Sequence, residues 1–318
     1  MKNFIGFSLS ELHKVLLIVC VICMTSCSSE TRIDTLNSDK EFAYHELQKD
    51  LAAYNTTFWI ENDIPQTRSF WRRLRGYLFA DAGGALLGSI FGGWGALFGA
   101  VYCSAVAGPV YAEMELLNAD NNDGMKGEVC DTIIKLPFDP IPLDPQNVAP
   151  VVPVEPTFYA TVSNLTVTTS GIGHMHNVIL YNMDKKHSNL YNQQTNYRDM
   201  AKYITSEMKE YNYTIPVAEQ NTLIQKINSS IPNDKTEIDT DIVTHLKTAY
   251  PEFTNEFSIL EDFIANIERI NGNVEFMKTY LDGYLQIIEN SNLSESEKDL
   301  LISSLEVAAN SAVLWIIE

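Results

Sequence analysis

The sequence predicts a mainly α-helical protein, with a glycine-rich helical hairpin or helix near the N-terminus, a proline-rich linker and a C-terminal multi-helix bundle. Three observations support this fold class. Small residues recur at every fourth position of an apolar stretch, seven of the twelve prolines lie between Pro137 and Pro156, and helical hydrophobic spacing dominates from His174 onward. A chain of 318 residues, 45% of them hydrophobic, is long enough for about two domains.

The N-terminus has the pattern of a secretory signal, because Lys2 and Lys14 precede a short apolar core. Thr25-Ser26-Cys27-Ser28-Ser29 follows that core and resembles a bacterial lipobox, with Met24 where leucine is usual. The resemblance implies that residues 1–26 are removed and that Cys27 receives the acyl chains, palmitate among them. Such a protein would be anchored to the outer membrane, on either its periplasmic or its surface face. The alternative is an ordinary secretory signal with an unmodified Cys27.

The charge of the chain is strongly acidic. Removing the signal takes away Lys2, Lys14 and Glu11, which together carry +1, so the formal charge of −19 becomes about −20. Nucleic-acid phosphates require lysine and arginine, and this balance therefore argues against a nucleic-acid partner. It is typical of an exposed, soluble envelope protein.

Residues 27–66 are predicted to be a polar tether followed by a short helix. Ser38-Asp39-Lys40-Glu41 has the capping-box pattern of a helix start, and a break is expected from Asn55 to Gln66. The next region, 67–136, opens with a basic cluster interleaved with aromatic residues: Arg68, Arg72, Arg73 and Arg75. This band is either a contact with phospholipid headgroups or a solvated helix start.

The stretch from Tyr77 to Ala112 contains a single charge, Asp81, and is longer than the roughly 20 residues that cross a bilayer as a helix. Its small residues lie on one face of a helix and allow another helix to approach closely. The predicted helix-packing positions are Gly84, Gly88, Gly92, Gly95, Gly99 and Gly108. One form is a hairpin with its turn at 92–95 and arms at 77–91 and 96–112. The other is a continuous helix packed against copies of itself.

This stretch resembles the glycine-zipper segments of bacterial envelope lipoproteins, from Gly83 to Gly108. It is also similar, more weakly, to the apolar glycine-rich segment of some bacteriocins. These resemblances imply self-association into a homo-oligomer or contact with a membrane. The alternative from the residues themselves is a hairpin buried inside a soluble bundle.

Two cysteines, Cys103 and Cys130, remain after signal removal and lipidation. In an oxidising compartment such a pair predicts a disulfide, and the alternative is two unpaired buried thiols.

The proline-rich segment 137–157 is the predicted linker, and 158–318 the predicted acidic helical domain. Residues 158–169 are β-prone and are expected to form an extended lead-in. Amphipathic spacing then predicts helices at 174–184, 196–211, 217–230, 236–249, 254–270, 273–289 and 295–316.

The most distinctive chemical motif runs from Gly171 to Asn177 and contains His174 and His176. The two histidines would bind a metal only if they converged in a loop. The alternative is a helix start, in which glycines shape the first turn and His176 or Asn177 bonds backbone groups. No nucleophile motif or cofactor fingerprint is present, so we expect no catalytic, metal or cofactor residues.

Gly173 to Leu180 also fits the pattern Gly-x-x-His-Asn-x-x-Leu, which resembles a segment of uncharacterised Bacteroidetes lipoproteins. Those proteins share a glycine-rich apolar stretch and a closing helix like Ser304 to Trp315, and they imply no activity. The expected function is a non-enzymatic, lipid-anchored envelope protein with a helical interaction domain. The alternatives are a surface-displayed or secreted antagonistic factor and a metal-dependent hydrolase.

Overall fold

The computed structural model describes residues 39–62, 71–108, 167–168, 171–186, 197–231, 242–270 and 273–316. In this part of the chain there are ten α-helices and no strand, which confirms the mainly α fold class. The helices are α1 (39–62), α2 (Trp71–Gly88), α3 (Gly93–Val106), α4 (Gly171–Lys186), α5 (Tyr197–Glu210), α6 (Val217–Ser230), α7 (Ile242–Ala249), α8 (Thr254–Ile267), α9 (Val274–Glu289) and α10 (Glu295–Ile316).

Helices α2 and α3 form the glycine-rich hairpin. A short 3₁₀ turn, Ser89–Phe91, ends α2, and the chain reverses at Gly92. Gly92 has φ +80°, a left-handed conformation that glycine adopts without steric cost. Of the two predicted forms, the structure therefore has the hairpin rather than one continuous helix.

The hairpin lies at the centre of the fold. Helix α10 packs along α2, α8 packs beside it, and α4 and α5 pack against α3. Every residue of α3 from Gly95 to Ser104 is buried. One hydrophobic core runs from Tyr44 in α1 to Trp315 in α10, so the predicted glycine-rich region and the predicted acidic helical domain share it. Among the described helices, none combines the length and apolar character needed to cross a membrane.

Helix α1 is longer than its sequence pattern indicates, and the break predicted from Asn55 is wrong. The helix continues to residue 62 because polar side chains in its second half bond to α8 and α9. The Asn55 amide donates to Asp262 at 2.6 Å, and the Tyr280 hydroxyl donates to Asn55 Oδ1 at 2.5 Å. Trp59 Nε1 donates to Asn266 Oδ1 at 2.7 Å. These tertiary bonds stabilise a segment whose local propensity is poor.

The C-terminal helices follow the predicted order closely, and α6 and α10 begin and end at the predicted residues. Helix α4 begins three residues earlier than predicted, at Gly171, which has φ +87°. Several predicted features lie outside the described residues, namely Cys27, Arg68, Cys130, the extended segment 158–166 and the linker 137–157.

Candidate functional site

A buried polar network joins the hairpin to α4 and α10, and Asp81 of α2 is at its centre. The Asp81 side chain is 0% exposed. Its Oδ2 accepts hydrogen bonds from the Ser311 hydroxyl and from Trp315 Nε1, the latter at 3.1 Å. Its Oδ1 bonds to the Ser104 hydroxyl of α3. Three helices therefore meet at one carboxyl group.

The network continues from Ser104 into α4. Ser104 Oγ lies 2.9 Å from His176 Nε2, and His176 Nδ1 lies 2.9 Å from Asn177 Oδ1. The Asn177 amide donates to the backbone carbonyl of Asn310 at 2.9 Å. His176 and Asn177 are both 0% exposed. Four helices, α2, α3, α4 and α10, are thus linked by one continuous chain of hydrogen bonds.

The donors and acceptors along this chain determine where its protons lie. Because the Asn177 amide group donates to Asn310, its Oδ1 faces His176 and accepts the Nδ1 proton. A neutral His176 then offers Nε2 as an acceptor for the Ser104 hydroxyl. Ser104 has only one proton, so a neutral His176 requires the Ser104 oxygen to accept from a protonated Asp81 rather than donate to an ionised one. Every member is then satisfied without a buried net charge.

The pKa directions agree with this neutral arrangement. Burial, the largest effect, raises the pKa of Asp81, and His176 together with the hydrogen bonds to Ser104, Ser311 and Trp315 opposes that rise. Burial likewise lowers the pKa of His176, against the opposing influence of Asp81. Desolvation exceeds the mutual attraction at this depth, so the uncharged pair is favoured over the ion pair.

Close helix approach at glycines brings these polar groups together. A Cβ on Gly84 or Gly99 would overlap the backbone of the other residue, and Gly88 and Gly95 oppose each other in the same way. Gly108, at the base of the hairpin, faces the Tyr77 ring, which would lie 2.6 Å from a Cβ.

Gly92 is the exception among the predicted helix-packing glycines, and that prediction is wrong. No atom lies within 4 Å of where its Cβ would stand. Gly92 is in the exposed turn, where backbone conformation, not helix contact, requires a glycine.

The start of α4 is held by Glu306 of α10. Glu306 Oε2 accepts from the Ile172 amide at 3.2 Å, so a carboxylate caps the exposed N–H groups of another helix. A Cβ on Gly173 would overlap the Glu306 carbonyl and the Asn310 side chain. The glycines of the histidine motif therefore allow α4 to lie directly on α10, which places His176 and Asn177 in the network.

His174 and His176 do not converge on a common point. His176 is buried in the network, whereas His174 is only partly buried on the same helix. The described residues contain no group of three or more His, Cys, Asp or Glu side chains arranged to hold a metal ion.

The network does not have the hydrogen-bond order of a catalytic triad. The Ser104–His176 distance suits a nucleophile and its base. However, Asp81 bonds to Ser104 and not to His176 Nδ1, which Asn177 occupies. Ser104 is 3% exposed and His176 is 0% exposed. Such a network rigidifies and specifies a core, because each unpaired member would be costly.

Sequence reasoning identified His176 and Asn177 but not the rest of the network. Asp81 was visible as the only charge in the apolar stretch, and a lone carboxyl group in such a run is a signal for a buried partner. The missed partners are Ser104, Asn310, Ser311 and Trp315. Ser104 has the spacing of one more small residue in the glycine row, and the other three lie more than 200 residues from Asp81 with no pattern that links them to it.

Cys103 lies between the hairpin arms against Gly84, and its thiol is buried and free. Burial and the neighbouring Asp81 raise the pKa of this thiol. Cys130 lies outside the described residues, so the Cys103–Cys130 disulfide stays a prediction.

No protein-family model, curated protein or solved structure matches this chain. The three sequence parts on which the resemblance to Bacteroidetes lipoproteins depends all contribute to the network. Asp81 and Ser104 come from the glycine-rich stretch, His176 and Asn177 from the second motif, and Ser311 from the closing helix. The resemblance itself stays a prediction.

Proposed function

We propose that the protein is a lipid-anchored cell-envelope protein whose folded part is a non-enzymatic helical domain organised around the glycine-rich hairpin. One observation carries the proposal: the hairpin and its polar network are enclosed by the other helices of the same chain. In this proposal the hairpin forms the core of the domain, and the helices packed around it provide the surface that binds a partner.

The buried position of Ser104 and His176 supports a role without catalysis, since a nucleophile must reach its substrate. The glycine contacts also bear on self-association. Gly84, Gly88, Gly95 and Gly99 are used between the two arms, so a homo-oligomer would form through another surface.

The lipid anchor is tested by changing Cys27 to alanine in the full chain and supplying labelled fatty acid to the producing cells. Acylation of Cys27 predicts that the wild type incorporates the label and that Cys27→Ala is released as a soluble protein. The matched control is Cys130→Ala, which should keep both the label and the membrane location. Equal labelling of Cys27→Ala and the wild type would refute the proposal.

A second candidate is an antagonistic factor whose hairpin enters a target membrane. The observation that favours it is that α3 contains no charged residue and that burial raises the pKa of Asp81 in α2, which lowers the cost of transferring the hairpin into lipid. Dye release from vesicles separates the two candidates. The wild type would release dye if the hairpin inserts, and it would leave vesicles intact if the hairpin only builds the domain.

A further inference from the structure

The hairpin turn presents large apolar side chains to the surface. Ile90 is 51% exposed. Phe91 and Trp94 are partly buried and stack with ring centroids 5.9 Å apart, and Gly92 and Gly93 between them are exposed. We call residues 90–94 the tip. The two aromatic rings and Ile90, beside the glycine turn, form a small apolar surface.

The tip lies at the same end of the molecule as the first residues of α8 and α10. Helix α10 runs antiparallel to α2, because Ser311 bonds to Asp81 while Val307 packs with Ala85. Helix α8 is also antiparallel to α2. Its Glu261 lies 3.8 Å from Arg75, and its Phe257 faces Gly83, which is nearer the tip.

Helix α1 begins at this end as well. Tyr44 donates to Glu256 at 2.5 Å, and Lys40 pairs with Glu297 in the first turn of α10 at 3.1 Å. Tyr44 bonds to Glu256 and Gly83 faces the next residue of α8, Phe257, so Tyr44 and Gly83 lie at about the same level. The end of α2 and the start of α1 are each about 8 Å beyond that level. Phe42, in the first turn of α1, is 64% exposed.

The position of the α1 start indicates which end of the domain is attached nearest to the membrane. The 12 residues from Cys27 to Asp39 span at most about 40 Å, so an anchor on Cys27 keeps this end of the domain near its bilayer. Aromatic side chains are favoured at the boundary between headgroups and acyl chains.

We propose that the tip inserts into the outer layer of the same bilayer that carries the lipid anchor, with Ile90, Phe91 and Trp94 at headgroup depth. The inference rests on the proposed anchor. Anchor and tip together give two points of attachment, which hold the domain in one orientation. Acidic side chains outnumber lysines at this end: Asp39, Glu41 and Glu295 are exposed, while Lys40 pairs with Glu297 and Lys298 with Glu295. This balance favours a zwitterionic lipid surface over an anionic one.

The test uses the acylated full chain, reconstituted into vesicles of phosphatidylethanolamine and phosphatidylcholine whose acyl chains carry bromine, a contact quencher of tryptophan fluorescence. The wild type should lose emission relative to unbrominated vesicles, and Trp94→Phe should lose the Trp94 part of that quenching. Ile90→Asp should also reduce the quenching, since it places a charge in the tip. Ile60→Asp is the matched control, because Ile60 is 76% exposed and lies about 30 Å farther along α1.

Two results would overturn the inference. Equal quenching of the wild type and Trp94→Phe would show that Trp94 does not reach the acyl chains. Protection of Trp94 from both brominated lipid and aqueous acrylamide would show that another part of this chain or a second copy covers the tip. Fatty-acid labelling of the same preparation distinguishes these failures from failure of the anchor, which would leave the protein unlabelled.

Discussion

At the scale of single residues, the buried network is centred on the carboxyl group of Asp81, which pairs with no lysine or arginine side chain in the described part of the chain. Asp81 is fully buried, and the groups around it are hydroxyls, an indole N–H and a neutral imidazole. An ionised carboxylate in such a place would be costly, and a proton removes most of that cost. Asp81 is therefore expected to behave as a neutral hydrogen-bonding group, closer to an amide than to a charge.

Asparagine at position 81 should replace Asp81 with little loss of stability. Its amide can donate to Ser104 while its oxygen accepts from Ser311 and Trp315, as the protonated acid does. Asp81→Ala leaves Ser311 and Trp315 without an acceptor and should cost about 1–3 kcal/mol for each buried donor. Chemical denaturation of both variants measures the difference. A loss in Asp81→Asn as large as that in Asp81→Ala would contradict a neutral Asp81.

The pH dependence of folding stability is an independent check on the protonation of Asp81, because a neutral acid and an ion pair predict effects of opposite sign. Because the folded pKa of Asp81 is raised above 3.8, the contribution of Asp81 to wild-type stability falls as pH rises from 3.8 toward that pKa. Asp81→Asn lacks this group, so its stability relative to the wild type should increase over the same interval. The folded pKa of His176 is below 6.5, so both proteins should lose stability as pH falls below 6.5. A wild type favoured increasingly over Asp81→Asn as pH rises would indicate an ion pair instead.

At the scale of secondary-structure elements, the hairpin depends on two kinds of glycine that are adjacent in α2. Gly84 faces the backbone of Gly99, whereas Gly83 faces the ends of the Phe257 and Leu246 side chains at 3.6 and 3.8 Å. The first contact has no room for a methyl group, and the second is an ordinary van der Waals distance.

Alanine at these two positions should therefore have opposite effects. Gly84→Ala forces α2 and α3 apart and should destabilise the protein by about 1–3 kcal/mol or more. Gly83→Ala should be neutral or stabilising by up to about 1 kcal/mol, because alanine is the better helix former. Thermal and urea unfolding of the two variants provide the measurement, and Gly83→Ala is the matched control. Similar losses in both variants would mean that helix contact is not what requires Gly84.

At the scale of the whole molecule, the hairpin and the outer helices share one hydrophobic core. Leu86 of the hairpin is 0% exposed, and the core that contains it reaches α8, α9 and α10. A domain with a single core is expected to unfold in one cooperative transition. The hairpin should therefore not separate from the other helices below the melting temperature.

Leu86→Ser in the unacylated Cys27→Ala protein tests whether the hairpin and the other helices unfold together. Burying a hydroxyl in place of a leucine should cost at least about 2–5 kcal/mol, comparable to removing a large core side chain. We expect circular dichroism to show one transition at lower temperature, and hydrogen exchange in α8 to α10 to accelerate together with that in α2. If those helices melt unchanged while the hairpin loosens, the hairpin is an independent element.

The helical class and the later helices were predictable from the amino-acid sequence, because apolar periodicity is a local property of the chain, whereas small-residue spacing left a hairpin and a continuous helix as two possible forms of the glycine-rich stretch. The bounds of α6 and α10 and the turn near Gly92 follow from such patterns. Tertiary contacts, by contrast, choose the hairpin, extend α1 through Asn55 and join Asp81, Ser104, His176 and Ser311 in one network. Ser104 and Ser311 are far apart in the chain, and no local pattern connects them. The burial that keeps Asp81 neutral exists only once four helices enclose it.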